Sequence, residues 1–271
     1  MTLDVKPLTA GIGAEIGNID LADVSATQLD ELYKIWLDWK VLFFRDQHIT
    51  QEEHIAFGAR FGELEVHPFA PGDDKHAEIV TIRSDAQNRY AASLWHSDVT
   101  WRKEPSLGSI LRGVEIPDAG GDTCFSDAAA AYDRLAEATR ERFDTAWATH
   151  DYVSAFARDM TDEEIAELRL QYPVVKHPVF RSHPDTGARS IYTNRAFVSA
   201  IDGVPEDETR AVLLELEAAI ANPSVQCRFR WQVDSFAMWD NRAVQHFACN
   251  DFFPATRQVE RVTIVGDLPH P

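Results

Sequence analysis

Cys227-Arg228-Phe229-Arg230-Trp231, followed after a short gap by Phe236-Ala237-Met238-Trp239, is the stretch that decides the fold. Both runs are short and turn-bounded, the signature of strands in an all-β layer. Working outward, the same signature recurs at residues 79–82, 107–111, 174–179, 190–193 and 262–265, and Val41-Leu42-Phe43-Phe44 reads as a strand buried on both faces. Helix signals flank these strands. Ser25-x-x-Gln28 is a capping box followed by Leu29, Leu32, Tyr33 and Trp36 at helical spacing. Thr50-x-x-Glu53 opens a short helix that is expected to stop at Gly62, and Thr161-x-x-Glu164 and Pro205 open two more. Helices cluster between strands rather than alternating with each one, and no Gly-x-Gly-x-x-Gly or Gly-x-x-x-x-Gly-Lys-Ser/Thr pattern occurs, which disfavours a nucleotide-binding parallel sheet. The expected fold is mainly β with flanking helices around an antiparallel jelly roll. With no internal repeat, low-complexity tract or linker-like run, residues 1–271 are expected to form one domain.

Composition narrows the partners. The 271 residues carry 26 basic and 44 acidic side chains, a net charge of −18. So many uncompensated carboxylates repel phosphate backbones and anionic lipid headgroups, which argues against nucleic acid and membrane surfaces. No run approaches the length of an apolar bilayer span, and Met-Thr-Leu-Asp-Val-Lys lacks the apolar segment of a signal peptide, so a cytoplasmic protein is expected. Cys124, Cys227 and Cys249 are odd in number, widely separated and form no Cys-x-x-Cys. They read as small apolar packing residues rather than a disulfide framework or thiolate metal site.

Chemistry concentrates at Leu94-Trp95-His96-Ser97-Asp98. On a strand, residues two apart share a face, so His96 and Asp98 could converge on one ion while Ser97 turns away. A second imidazole, with His246 in Trp239-Asp240-Asn241-Arg242-Ala243-Val244-Gln245-His246 as the candidate, would complete two histidines and one carboxylate. That set leaves three adjacent positions open on non-haem Fe(II). The plain alternative for His96 and Asp98 is a surface hydrogen-bonded pair. A second His-x-Asp, His183-Pro184-Asp185, lies within Ser182-His183-Pro184-Asp185-Thr186-Gly187, whose Pro, Asp and Gly mark a turn, and is read as a decoy. Arg257 and Arg261, four apart on a predicted strand, can both face inward, where guanidinium forks grip carboxylate or sulfonate oxygens. Ordinary interstrand salt bridges are the alternative. Tyr132, Trp147 and Tyr152 read as packing.

Taken together these motifs, with Arg45-Asp46-Gln47 after Phe44, Phe61-Gly62, Trp95-His96-Ser97-Asp98-Val99-Thr100, Gly120-Gly121-Asp122-Thr123, His183-Pro184, Gln245-His246 and Arg261-Val262-Thr263, resemble the taurine dioxygenase family of Fe(II)- and 2-oxoglutarate-dependent oxygenases almost end to end. The resemblance implies a double-stranded β-helix core in which His96, Asp98 and His246 hold iron. It also implies that 2-oxoglutarate chelates the metal while its far carboxylate meets Arg257 and Thr123, and that dioxygen takes the remaining position. Decarboxylation to succinate and carbon dioxide is then coupled to hydroxylation of a small anionic organic substrate. His67 and Arg261 fall where the taurine enzyme holds a sulfonate, and Val99, Phe156 and Phe197 where it lines its pocket. An alkyl sulfonate or sulfate ester is therefore expected: hydroxylation beside the leaving group collapses to an aldehyde with release of sulfite or sulfate.

Taurine itself is disfavoured. Phe69-Ala70 follows His67-Pro68, Ala155 precedes Phe156, and no Asn occurs in residues 89–94, so an ammonium would be desolvated without a partner, costing several kcal/mol. The nearest alternative is the same chemistry on a phenoxyalkanoate. Outside the family, a zinc hydrolase could use His96, Asp98 and His246 but would need neither Arg257 nor Thr123, and a non-catalytic jelly-roll binding module would form no succinate. The resemblance further implies a homo-oligomer, dimer or tetramer.

Overall fold

The computed structural model describes every residue except Met1, Pro71, Asp73, Asp74, Tyr90, Ala91, Arg158 and Asp159. Tyr90 and Ala91, part of the segment read for an Asn before Trp95, thus lie outside the described residues.

Two sheets and two helices explain where the core sits. The larger sheet has seven strands in the spatial order Asp4–Pro7, Ala14–Gly17, Val41–Phe44, Phe236–Asp240, Ser106–Glu115, Arg257–Val265, Ile79–Ser84. Its pairings are antiparallel apart from the contact between Ala14–Gly17 and Val41–Phe44. A three-stranded antiparallel sheet places Thr123–Asp127 between Gln226–Phe229 and Val244–Ala248. Alternation along the central strands assigns the two faces of the larger sheet. Val41, Phe43, Ala237, Trp239, Leu111 and Val259 pack against Phe125, Phe229 and Val244 of the smaller sheet. Leu42, Phe44, Phe236, Met238, Ile110 and Ile264 pack instead against Leu32, Trp36 and Phe57 of the helices Ala26–Trp39 and Gln51–Ala59. Because both faces are covered, Val41-Leu42-Phe43-Phe44 is buried throughout and has no polar position.

The helix starts follow from local chemistry. Capping boxes form at Ser25/Gln28, Thr50/Glu53 and Thr161/Glu164, each satisfying two backbone N–H groups. Glu206–Ile220 begins after Pro205 without a side-chain cap. The helix opened by Thr50 ends at Ala59, short of Gly62. Among the described residues no helix is long and apolar enough to cross a membrane.

One local expectation is corrected. His96 to Asp98 is not a strand: His96 makes a single antiparallel bridge to His246, and the chain then enters a turn in which Val99 adopts φ 57°. A β-branched residue in the left-handed region is strained, by roughly 1–3 kcal/mol. Asn241 holds the turn in place. Its Oδ1 accepts from Asp98 N at 2.6 Å, and its Nδ2 donates to Asp98 O at 2.9 Å and Ser106 O at 3.1 Å.

Candidate active site

The sequence distance between the histidines closes through the backbone. His96 N donates to His246 O at 3.1 Å and His246 N to His96 O at 2.8 Å, so the two side chains emerge from one bridge with ring centroids 4.2 Å apart. The turn then brings Asp98 Oδ1 to 3.7 Å from His96 Nε2 and 3.9 Å from His246 Nε2. All three are buried, and one ligand atom from each lies within 4.8 Å of the others. Ser97, as expected, points away and donates to Val244 O.

The donor set fits a divalent metal ion. His96 Nδ1 lies 2.7 Å from Leu94 O, which places its proton on Nδ1 and leaves the Nε2 lone pair toward Asp98. Burial lowers the pKa of His96, and burial together with the neighbouring His96 lowers that of His246 to about 3. Both rings are therefore neutral at pH 7, as ligands must be. Burial alone would oppose ionisation of Asp98, yet Arg261 Nη1 at 2.9 Å holds its carboxyl below the usual range, and Ser109 Oγ donates to Oδ2 at 2.9 Å.

A cavity between the two sheets runs from this cluster to Arg257. Its wall includes His96, His246, Thr123, Arg257 and Arg261, five of the residues singled out from sequence. Arg257 and Arg261 share an inward face of the Arg257–Val265 strand, as their spacing requires. Arg257 Nε donates to Gly121 O at 2.9 Å. Gly121, at φ 71°, is needed there, since a Cβ would come 3.0 Å from Arg257 Cδ. Burial pushes the Arg257 pKa down to about 10, and among the described residues it has no ion pair; nearby Asp122 is engaged by Arg228. An unpaired buried cation attracts an anion into the cavity. Thr123 Oγ1 accepts from Trp231 Nε1 at 2.9 Å, leaving its own proton free to donate.

His67, Val99, Phe156 and Phe197 are not on that wall. They belong to an adjoining apolar cluster in which Phe69 stacks on Phe156 and Tyr152, Phe156 stacks on Phe197, and His67 meets Phe69, Trp101 and Phe156 edge-on. Phe197 also approaches His96, with centroids 6.4 Å apart. His67 is buried; burial and then Arg261 lower its pKa to about 4. Its Nδ1 accepts from Phe69 N at 3.3 Å, so the ring proton sits on Nε2. Ala155 is exposed, so Phe156 rather than Ala155 faces this cluster.

The second His-x-Asp lies where its turn chemistry put it, between the paired strands Phe180–Ser182 and Arg189–Ile191. His183 Nε2 bonds Asp240 Oδ2 at 2.9 Å, and Asp185 accepts from Arg242 and Tyr33. This network is structural and takes no part in the three-residue cluster. Sequence reasoning missed Ser109, Trp231 and the clamping role of Asn241. The signal available for Ser109 was a hydroxyl at a fully buried position of an apolar strand.

The family model described as taurine catabolism dioxygenase TauD, TfdA family matches residues 4–263. An alpha-ketoglutarate-dependent sulfate ester dioxygenase of Pseudomonas putida is 34% identical over 99% of this chain and 91% of its own. An alkylsulfatase of Acinetobacter baylyi is 31% identical over 98% and 86%. The crystal structure of a putative alpha-ketoglutarate-dependent taurine dioxygenase from Burkholderia xenovorans superposes with a TM-score of 0.85 at 37% identity, covering 99% of this chain and 94% of that one. The chain therefore belongs to the TauD/TfdA family of dioxygenases.

Proposed function

We propose that this chain is an Fe(II)- and 2-oxoglutarate-dependent dioxygenase. Its substrate is a small organic anion with an apolar tail, an alkyl sulfate ester or alkyl sulfonate, released as sulfate or sulfite plus an aldehyde. The facing sheets are read as its double-stranded β-helix, and residues 1–271 as one catalytic unit. The observation that carries the reading is the shared cavity: a buried Arg257, without an ion pair among the described residues, at one end and the His96, Asp98, His246 cluster at the other. A zinc hydrolase has no use for that cation.

Bound iron with 2-oxoglutarate and dioxygen supplies the oxidising power for hydroxylation. The protein's own residues position the reactants. His96, Asp98 and His246 hold the metal, with Ser109 and Asn241 fixing the carboxylate and its backbone. Arg257 and the Thr123 hydroxyl grip the far carboxylate of the keto acid. His67 offers Nε2–H, as a neutral donor, to the sulfur oxyanion, and Arg261 supplies the positive charge. Phe69, Phe156, Phe197 and Trp101 exclude water and accept the hydrocarbon tail, an environment in which an ammonium would be unpaired. Hydroxylation at the carbon bearing the ester oxygen leaves an adduct that expels sulfate as its hydroxyl proton departs, giving the aldehyde.

The test is product stoichiometry in aerobic reactions with Fe(II) and 2-oxoglutarate. Hexyl sulfate should yield sulfate and succinate one to one, and faster than taurine yields sulfite. Succinate formation driven best by taurine would overturn the tail preference, and phenol release from a phenoxyalkanoate as the fastest reaction would move the substrate to a carboxylate.

A further inference from the structure

Cys124 and Cys249, read from sequence as packing residues, come together in the fold. Phe247 faces Cys124 across the ladder of the smaller sheet, and Cys249 lies two residues beyond Phe247 on the same side, its N–H bonded to Asp122 O at 2.9 Å. The thiols are 4.0 Å apart and both partly exposed. On the other flank of Cys124 the facing residue is Arg228, whose guanidinium bonds Asp122 at 2.6 Å. Cys249 also forms part of the wall of the cavity that contains Arg257.

We propose that Cys124 and Cys249 are a peroxide-oxidisable dithiol, a modification site on the cavity wall that closes to a disulfide within one chain. Since a disulfide is about 2.05 Å long, each sulfur needs to move by roughly 1 Å, which rotation about χ1 can provide. Cys124 is the attacking thiol. The hydrogen bond from Cys249 and the charge of Arg228 hold it below the usual thiol pKa, whereas Cys249 is raised. In the first step the Cys124 thiolate attacks one oxygen of hydrogen peroxide. An S–O bond forms, the O–O bond breaks, and sulfur loses two electrons to give a sulfenic acid and hydroxide, which is protonated to water. The Cys249 sulfur then attacks that sulfenic sulfur: the S–S bond forms, the S–O bond breaks, and the Cys249 proton leaves with the departing hydroxide as a second water. Cys227 is the internal control. It is buried, burial raises its thiol to about 12, and among the described residues no other sulfur is paired with it. The site does not depend on the oxygenase reading, because its oxidant is supplied from outside.

The experiment treats chelator-washed, metal-free protein with a small excess of hydrogen peroxide, blocks remaining thiols, and maps peptides by non-reducing mass spectrometry. The expected result is a Cys124–Cys249 linked peptide pair two hydrogens lighter than the free peptides, reversed by dithiothreitol, with Cys227 still a thiol. In Cys249→Ser, Cys124 should stop at a sulfenic acid that dimedone traps. The proposal is overturned if both thiols survive, if they end as separate sulfinic acids, if the link joins two chains, or if Cys227 oxidises as fast.

Discussion

Replacing Arg257 with Met keeps a similar length of apolar stem and deletes the buried charge. In the protein without its keto acid that charge is unfavourable: the fall from the ordinary 12.5 to about 10 corresponds to roughly 3 kcal/mol against the charged form. Arg257→Met should therefore leave the melting temperature unchanged or raise it, with loss of the Nε bond to Gly121 O and of the guanidinium's contact with the Trp231 ring as the offsets. With 2-oxoglutarate bound the balance reverses. The far carboxylate would be left desolvated beside Thr123 alone, and breaking a buried ion pair from one side costs about 3–5 kcal/mol. At about 1.4 kcal/mol per factor of ten, affinity should fall between about a hundredfold and a few thousandfold. Calorimetric titration of 2-oxoglutarate into Fe(II)-loaded protein under argon, with thermal melts of the same samples, measures both quantities. A dissociation constant within threefold of the unsubstituted protein would refute the anchoring role of Arg257.

Other perturbations separate the remaining roles. Asp98→Ala should abolish Mn(II) binding followed by electron paramagnetic resonance, and Ser109→Ala should weaken it by about 10–100-fold through the lost contact to Oδ2; tight binding by Asp98→Ala would contradict the ligand assignment. His183→Ala should leave Mn(II) affinity intact but cost about 1–3 kcal/mol in urea unfolding, because buried Asp240 loses a partner. Arg261→Ala should raise the KM for the sulfur substrate more than that for 2-oxoglutarate, with some loss of Mn(II) affinity because Asp98 loses its ion-pair partner, and equal losses for both substrates would show the arginine pair to be misassigned. Metal-free protein should lose stability in mild acid. Burial lowers His54 to about 3, His67 and His177 to about 4, and His150 well below its usual value. These groups are neutral when folded and titrate near 6.5 when unfolded, so the stability they contribute is complete above pH 6.5. It falls by about 1.4 kcal/mol per pH unit for each group as the pH drops toward the folded values. A melting temperature constant from pH 6.5 to 4.5 would contradict this.

The sequence was most legible where local chemistry decides structure. Three capping boxes, the fully apolar Val41–Phe44 strand and the turn at His183 each follow from a few adjacent residues. The strands Thr123–Asp127 and Val244–Ala248 were missed because buried polar residues interrupt their apolar pattern. Ser126 donates to Ile220 O, and Gln245 to Ile191 O and Thr193 O, bonds to distant segments that no periodicity announces. At the site, His96, Asp98, His246 and Arg257 were singled out by spacing and donor chemistry and Thr123 through the family resemblance, and they lie together, whereas His67, Phe156 and Phe197 occupy an adjoining aromatic cluster. The supports escaped notice for the same reason as the strands. Asn241 acts on Asp98, Trp231 on Thr123 and Gly121 on Arg257, each across more than a hundred residues of chain.

The most direct test of the account is anaerobic addition of 2-oxoglutarate to Fe(II)-loaded protein in a spectrophotometer. A weak visible charge-transfer band should develop with one equivalent of each and be absent in His246→Ala. Failure of the band in the unsubstituted protein, or its persistence without His246, would contradict a metal centre built on His96, Asp98 and His246 that binds the keto acid.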